Sequence, residues 1–266
     1  MASDAQVPAK RFINLERLVR PALAVLVAAF VLWRLWDVVM VQKAYGGDTW
    51  VRFAISGLIL GGVYAVIALG YTLVYGILFM INFAHGDVMM LGAFAGYFTL
   101  EAFKSTGALD ASLFSGILAV VAAFAVGMGS ASLIAVNLER IAYRPLRTAP
   151  RLVPLISAIG ASLVLQNAAQ LMFGAARHTY ANPAILDRNA GWQVMISGKP
   201  VLVSYTGVLT FVMSILLMVG LYVLVQRTKI GKAMRAVAED KQAAALMGID
   251  VNRVISSTFV ISGALA

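Results

Sequence analysis

Apolar residues run through this chain in long unbroken blocks, and the polar positions collect between them. The first block extends from Pro21 to about Val41, and a second starts at Phe53 and reaches Phe83. The 32 residues from Phe53 to Ala84 carry no charge, and after a short polar knot, "INFAHGD" (81–87), 13 more uncharged residues lead to Leu100. Further blocks cover Ala111 to Leu138, Leu152 to Ala176, Pro200 to Gln226, and Val254 to Ala266. A bilayer crossing takes roughly 20 apolar residues, so each block is a candidate transmembrane helix. The stretch 53–100 is too long for one straight span and contributes two, broken at the knot. The final block rises only about 20 Å as a helix, too little to cross, so the chain is expected to continue beyond it.

These blocks predict an all-α polytopic membrane protein with about seven transmembrane helices, the last cut short. A segment 1–20 precedes a single transmembrane domain, 21–266. Neither an internal repeat nor a soluble domain is visible. Composition agrees: 61% of residues are hydrophobic and 12% charged, against roughly 45–50% and 25% in an ordinary soluble domain. The absence of Cys excludes disulfides and thiolate chemistry.

Charge orients the helices. The net charge of +9 could point to nucleic acid, but the basic residues fall in loops. Lys10, Arg11, Arg17 and Arg20 precede the first block. Arg140, Arg144, Arg147 and Arg151 lie between 138 and 152, and Arg227, Lys229, Lys232, Arg235, Lys241 and Arg253 follow the sixth. The alternate connections 37–52, 101–110 and 177–199 carry two, one and three. With two crossings in 51–100, all the basic-rich loops share one side, which makes the N-terminus cytoplasmic and the knot cytoplasm-facing. No small-residue cleavage site follows the first block, so it reads as an uncleaved helix rather than an export signal.

Several positions carry candidate chemistry. Gly57 and Gly61, and Gly92 and Gly96, have the spacing that lets helix backbones approach in lipid, and read as packing positions. Gln166, Asn167 and Gln170 stand deep in an apolar block, where amides either bond between helices or line a solute path. In the knot, Asn82 and His85 can bond terminal carbonyls of the incoming helix, Gly86 supplies a free dihedral, and Asp87 can cap the next helix. A direct solute or proton role for Asn82, His85 and Asp87 is the other reading. No metal site or cofactor is expected.

The segment 227–253 is charged, Ala-rich and helix-prone, although flanked by apolar blocks. Ala236, Ala243, Ala244, Leu246 and Met247 can form an apolar face between Gly231 and Gly248, resting either on lipid headgroups or on a partner. "QAAALMG" (242–248) resembles the Glu-Ala-Ala-x-x-x-Gly loop of ABC importer permeases, which inserts into the ATPase subunit; Gln242 replaces the acidic residue. Three longer stretches carry a sharper likeness: "GLILGGVYAVIALGYTLVYGILFMINFAHGD" (57–87), "ERIAYRPLR" (139–147) and "GKAMRAVAEDKQAAALMGI" (231–249). Together they resemble the branched-chain amino acid permease family of LivH type, over roughly 51–266. Urea and short-amide permeases share much of the pattern and are the alternative.

The resemblance implies an ABC importer permease fold in a bacterial inner membrane. It also implies a second permease subunit, two cytoplasmic ATP-binding subunits and a periplasmic solute-binding protein. Gly231, Glu239, Asp240, Gln242, Ala243, Ala244 and Gly248 would then belong to an ATPase-coupling loop, and the connection 174–199 would face the binding protein. The sequence holds no Gly-x-x-x-x-Gly-Lys-[Ser/Thr] phosphate loop, so the chain is not expected to be an enzyme and a partner would hydrolyse ATP. A proton-coupled carrier titrating Asp87 or His85, and a channel, are the rival classes. The few charges within the blocks suit a neutral or zwitterionic solute.

Overall fold

The computed structural model describes residues 15–41, 46–109, 111–147, 149–150, 152–181, 183, 186, 190–196 and 198–266. Lys10, Arg11, Arg151 and Arg188, and residues 1–14 of the N-terminal segment, lie outside them.

The apolar blocks form helices: α1 (Leu15–Trp36), α2 (Gly47–Leu78), α3 (His85–Ser105), α4 (Leu113–Leu138), α5 (Leu152–Phe173) and α6 (Tyr205–Arg227). The charged segment forms α7 (Lys229–Glu239) and α8 (Lys241–Leu246), and α9 (Val251–Leu265) follows. Helix is the form in which a lipid-embedded segment satisfies its own backbone. Four stretches are long and apolar enough to cross a membrane: Gly47–Leu78, Leu113–Leu146, Leu152–Phe173 and Tyr205–Arg227. Ala22–Trp36 and Val251–Leu265 are shorter apolar helices. α3 has the length, but its first turn holds His85 and Asp87 and its last Lys104. Seven crossings would require α1, α3 and α9 as well.

The structure departs from the all-α expectation in one element. Strands β1 (Gly191–Ile196) and β2 (Lys199–Ser204) form an antiparallel hairpin with Trp192 opposite Val203 and Val194 opposite Val201. Gly198 takes φ +78 at the turn, and the flanking Val, Ile and Trp residues favour extended backbone. The hairpin rests on the N-terminal turns of α2. Arg52 donates to the carbonyl of Pro200, and Lys199 lies 4.0 Å from the buried carboxylate of Asp48. α2 therefore starts six residues before the expected Phe53. Its 32 residues rise about 48 Å, more than the roughly 30 Å hydrocarbon core, so its first turns can sit with the hairpin beyond the lipid.

α4 is the centre of packing, between α3 and α9, while α2 packs on α6 and α9. The α3–α4 crossing depends on small residues. A Cβ on Gly92 would stand 2.9 Å from Cβ of Ala131 and 3.2 Å from the Gly127 carbonyl, and one on Gly96 3.4 Å from that of Ala123. Gly57 and Gly61 do otherwise: both are exposed, with nothing within 4 Å of an added Cβ. α2 instead buries Gly62, Val66, Gly70 and Val74, one register step away. Gly62 faces Ser214 of α6, and Gly70 faces His85 and the Ser262 carbonyl of α9.

Gly92→Val in the purified protein should lower stability by about 1–3 kcal/mol through overpacking. Gly61→Ala should leave it unchanged or raise it by up to about 1 kcal/mol, because alanine favours helix and the site is open. Thermal midpoints in detergent measure both.

Candidate functional site

The polar knot, the 139–147 loop and helices α7 and α8 converge at one end of the helices. Val74 and Ile77 of α2, Ala84, Val88 of α3, Leu138 and Tyr143, Met234 and Val237 of α7, Ala244 of α8, and Val254 of α9 share one buried cluster there. Two of the basic segments of the sequence, 139–147 and 227–253, thus flank the break between α2 and α3.

That break differs in detail from its expected form. α2 stops at Leu78, and the left-handed residue is Phe79, with φ 54, rather than Gly86. Phe79 donates its amide to the Tyr75 carbonyl at 2.8 Å. Gly86 lies within α3, whose N-cap is Ala84 with no side-chain cap. Asp87 is therefore not a cap but a first-turn residue, where a carboxylate complements the helix dipole. Its Oδ2 accepts from Ser162 Oγ of α5. The capping work falls to Asn82, whose Oδ1 accepts the Ala84 amide at 3.1 Å and the Tyr143 hydroxyl at 2.6 Å. Asn82 and Tyr143 are both buried, so this pair ties the break to the end of α4.

His85 bonds no terminal carbonyl of α2 among the described residues. It is buried against Gly70 and Tyr71, with ring centroids 6.0 Å apart in the latter pair. Its Nε2 has no hydrogen-bond partner among the described residues. Gln166 and Asn167 also differ from a purely interhelical role. Gln166 Nε2 donates to Ser162 Oγ at 3.1 Å, extending the Asp87–Ser162 contact along α5. Asn167 Nδ2 returns to its own helix at the Leu163 carbonyl, 2.7 Å away. Gln166, Asn167 and Gln170 are exposed on this chain.

Sequence reasoning did not single out Glu139. The end of α4 winds into a π-helical turn, Glu139–Tyr143, and then a 3-10 turn, Arg144–Leu146. Such wide turns recur at functional sites. This one directs both Glu139 and Tyr143 inward, each 0% exposed. Glu139 pairs with Arg147 and accepts from Ser256 Oγ of α9 at 2.9 Å. Arg147 Nη1 donates to Asn252 Oδ1 at 2.6 Å. The available signal was an acid at the edge of an apolar block, followed by Arg140, Arg144 and Arg147.

α7 and α8 form two short helices with defined ends. Thr228 caps α7 through the Gly231 amide, and a Cβ on Gly231 would overlap the carbonyls of Leu224 and Val225. Glu239 ends α7. Asp240 caps α8, its Oδ1 accepting the amides of Gln242 and Ala243 at 2.7 and 3.0 Å. Gly248 closes α8 with φ +83, its amide bonded to Ala245 and that of Ile249 to Ala244, a Schellman motif. Ala244 faces inward to the buried helix cluster and not outward as expected, whereas Leu246 and Met247 are 88% and 83% exposed. Burial, and secondarily the Arg147 charge, lower the pKa of Lys241 at the start of α8.

Helices of this length and apolar character define a multi-pass membrane protein. A family model described as branched-chain amino acid transport system / permease component matches residues 53–266, and the chain belongs to that family. It is 43% identical over 212 residues to the high-affinity branched-chain amino acid transport system permease protein BraD of Pseudomonas aeruginosa, covering 80% of this chain and 66% of that protein. The corresponding permease protein LivH of Escherichia coli K12 is 40% identical over 212 residues, 79% of this chain and 66% of its own. A probable LivH of Methanocaldococcus jannaschii is 30% identical over 216 residues, 79% of this chain and 62% of that protein. The chain thus spans just under two thirds of the length of these relatives. No solved structure matches it.

Asn82→Ala should cost about 1–3 kcal/mol, because it strands the buried Tyr143 hydroxyl as well as an amide. Asp87→Asn keeps an acceptor for Ser162 and should cost less than about 1 kcal/mol. Thermal unfolding of the two variants in detergent checks the order; a larger loss for Asp87→Asn would return the leading role at the break to Asp87.

Proposed function

We propose that the chain is a permease subunit of an ATP-driven importer for branched-chain amino acids. It works with a second permease subunit, two cytoplasmic ATP-binding subunits and a periplasmic solute-binding protein. The reading rests on the tip of α8. Leu246 and Met247 stand exposed on a doubly capped helix, at the same end of the described structure as the basic 139–147 loop. On the positive-inside rule that end is cytoplasmic and the β1–β2 hairpin is periplasmic. The protein then sits in the bacterial inner membrane with six crossings, α1 to α6, a seventh begun by α9, and a cytoplasmic N-terminus.

The branched-chain solute is supported by the names that the relatives carry; urea and short amides are the competing solutes. The exposed polar face of α5, with Gln166, Asn167 and Gln170, supplies hydrogen-bonding groups along a path shared with the second permease subunit.

Leu246→Asp combined with Met247→Asp should leave the amount of inserted permease within about twofold of wild type, since both side chains are outside the core. It should abolish copurification of the ATPase subunits, because a carboxylate is costly against an apolar cleft. Normal copurification and uptake would remove α8 from the mechanism. Because the chain has no Cys, orientation can be read with single cysteines. A cysteine at exposed Arg140 should resist impermeant thiol reagents in intact cells, and one at exposed Trp192 should react. The opposite pattern would invert the topology.

A further inference from the structure

We infer that Glu139 is a positioning residue through which movement of the α7–α8 segment reaches the transmembrane helices. The inference rests on the importer reading above. α8 leads through Gly248 and Asp250 directly into α9, so any displacement of α8 acts first on the N-terminal turn of α9. The first two turns of α9 are held at two points, Asn252 by Arg147 and Ser256 by Glu139. Glu139 and Arg147 are paired with each other, and Glu139 belongs to the π-helical turn that ends α4. Deeper in the membrane the same two helices are joined again, by Ser132 Oγ bonding the Val260 carbonyl at 2.9 Å. They also meet at Gly263, where a Cβ would stand 2.8 Å from the Ala131 carbonyl.

Stability does not account for a carboxylate at 0% exposure here. A buried ion pair offers little over well-packed apolar residues of the same volume, because desolvation offsets the Coulomb attraction. What the pair adds is direction. Glu139 accepts from α9 and from the loop together, and a carboxylate with two charge-assisted partners fixes their relative placement more tightly than apolar contact does. Tyr143, four residues on, carries the same turn to Asn82 at the α2–α3 break. A push on α8 therefore arrives at α9, α4 and the break as one displacement.

The test uses the assembled transporter in proteoliposomes with its ATPase and solute-binding subunits. Glu139→Gln keeps the shape and an acceptor for Ser256 but removes the charge that holds Arg147. Solute uptake should fall about tenfold, within the usual range of coupling effects. ATP hydrolysis by the same complexes should stay within about twofold, so that the ATP used per solute rises. Asn252→Ala, at an exposed position, should move the ratio in the same direction by a smaller factor. Glu139→Asp should restore it in part. An unchanged ratio in both Glu139→Gln and Asn252→Ala, whether the two rates are normal or fall together, would overturn the inference. Wild-type complexes without ATP-driven uptake would instead overturn the importer reading, and this inference with it.

Discussion

The close approach of α4 to α3 on one side and to α9 on the other sets most of the remaining geometry. Lipid offers apolar side chains no preference for one another, so helices in it associate through close packing and hydrogen bonds. Gly92 and Gly127 remove side chains where α3 crosses α4, and Gly263 does so where α9 crosses it. Once those backbones touch, the π-helical end of α4 lies beside both the α2–α3 break and the start of α9. The Tyr143–Asn82 and Glu139–Ser256 bonds then form over short distances. A side chain at Gly92 or Gly263 would separate the helices and disturb both bonds.

The second constraint is that a helix interrupted near lipid leaves backbone groups to be satisfied. The chain meets it with few residues. Phe79 turns left-handed and returns its amide to Tyr75, and Asn82 covers the first orphan amide of α3. A left-handed conformation at a non-glycine residue costs roughly 1–2 kcal/mol. It persists at Phe79 because Asn82 and Tyr143, locked together in the core, fix where the chain must go next.

Much of this was legible in the sequence. The apolar blocks gave seven of the helices, two basic-rich segments (139–147 and 227–253) gathered at one end, and the Gly92–Gly96 spacing coincides with the α3–α4 contact. The α2 register was not legible, because that helix is apolar on every side. Periodicity marks a buried face only where the other face is polar, so Gly57 and Gly61 could not be told from Gly62 and Gly70. The hairpin was legible in principle: "WQVMI" and "PVLVS" flank Ser197-Gly198-Lys199 and read as paired strands. The apolar content of the second strand assigned it instead to the neighbouring block. Asp87 and Asn82 were placed in the right segment, but the capping expected of Asp87 falls to Asn82 while Asp87 bonds Ser162 of α5, since both types cap helices and only the tertiary partners separate them. Glu139 was hidden because a charge beside arginines ordinarily reads as a solvated loop.

Exposure carries opposite meanings along this chain, and the medium decides which applies. Leu163 and Val164 on α5 are more than half exposed, and lipid covers such side chains at no cost. Leu246 and Met247 are more exposed still, yet they follow six residues, Lys241 to Ala245 with the Asp240 cap, that no bilayer interior would accept. If that end faces water, leaving two large apolar side chains uncovered forgoes roughly 1.5–3 kcal/mol each. Headgroups could recover part of it for a helix lying flat on the membrane. α8 is not free to lie flat: Ala244 seats it in the permease core, and Asp240 and Gly248 cap it at both ends. A short helix held rigidly, with its apolar tip turned away from the helices that anchor it, is suited to a protein cleft and poorly suited to a lipid surface.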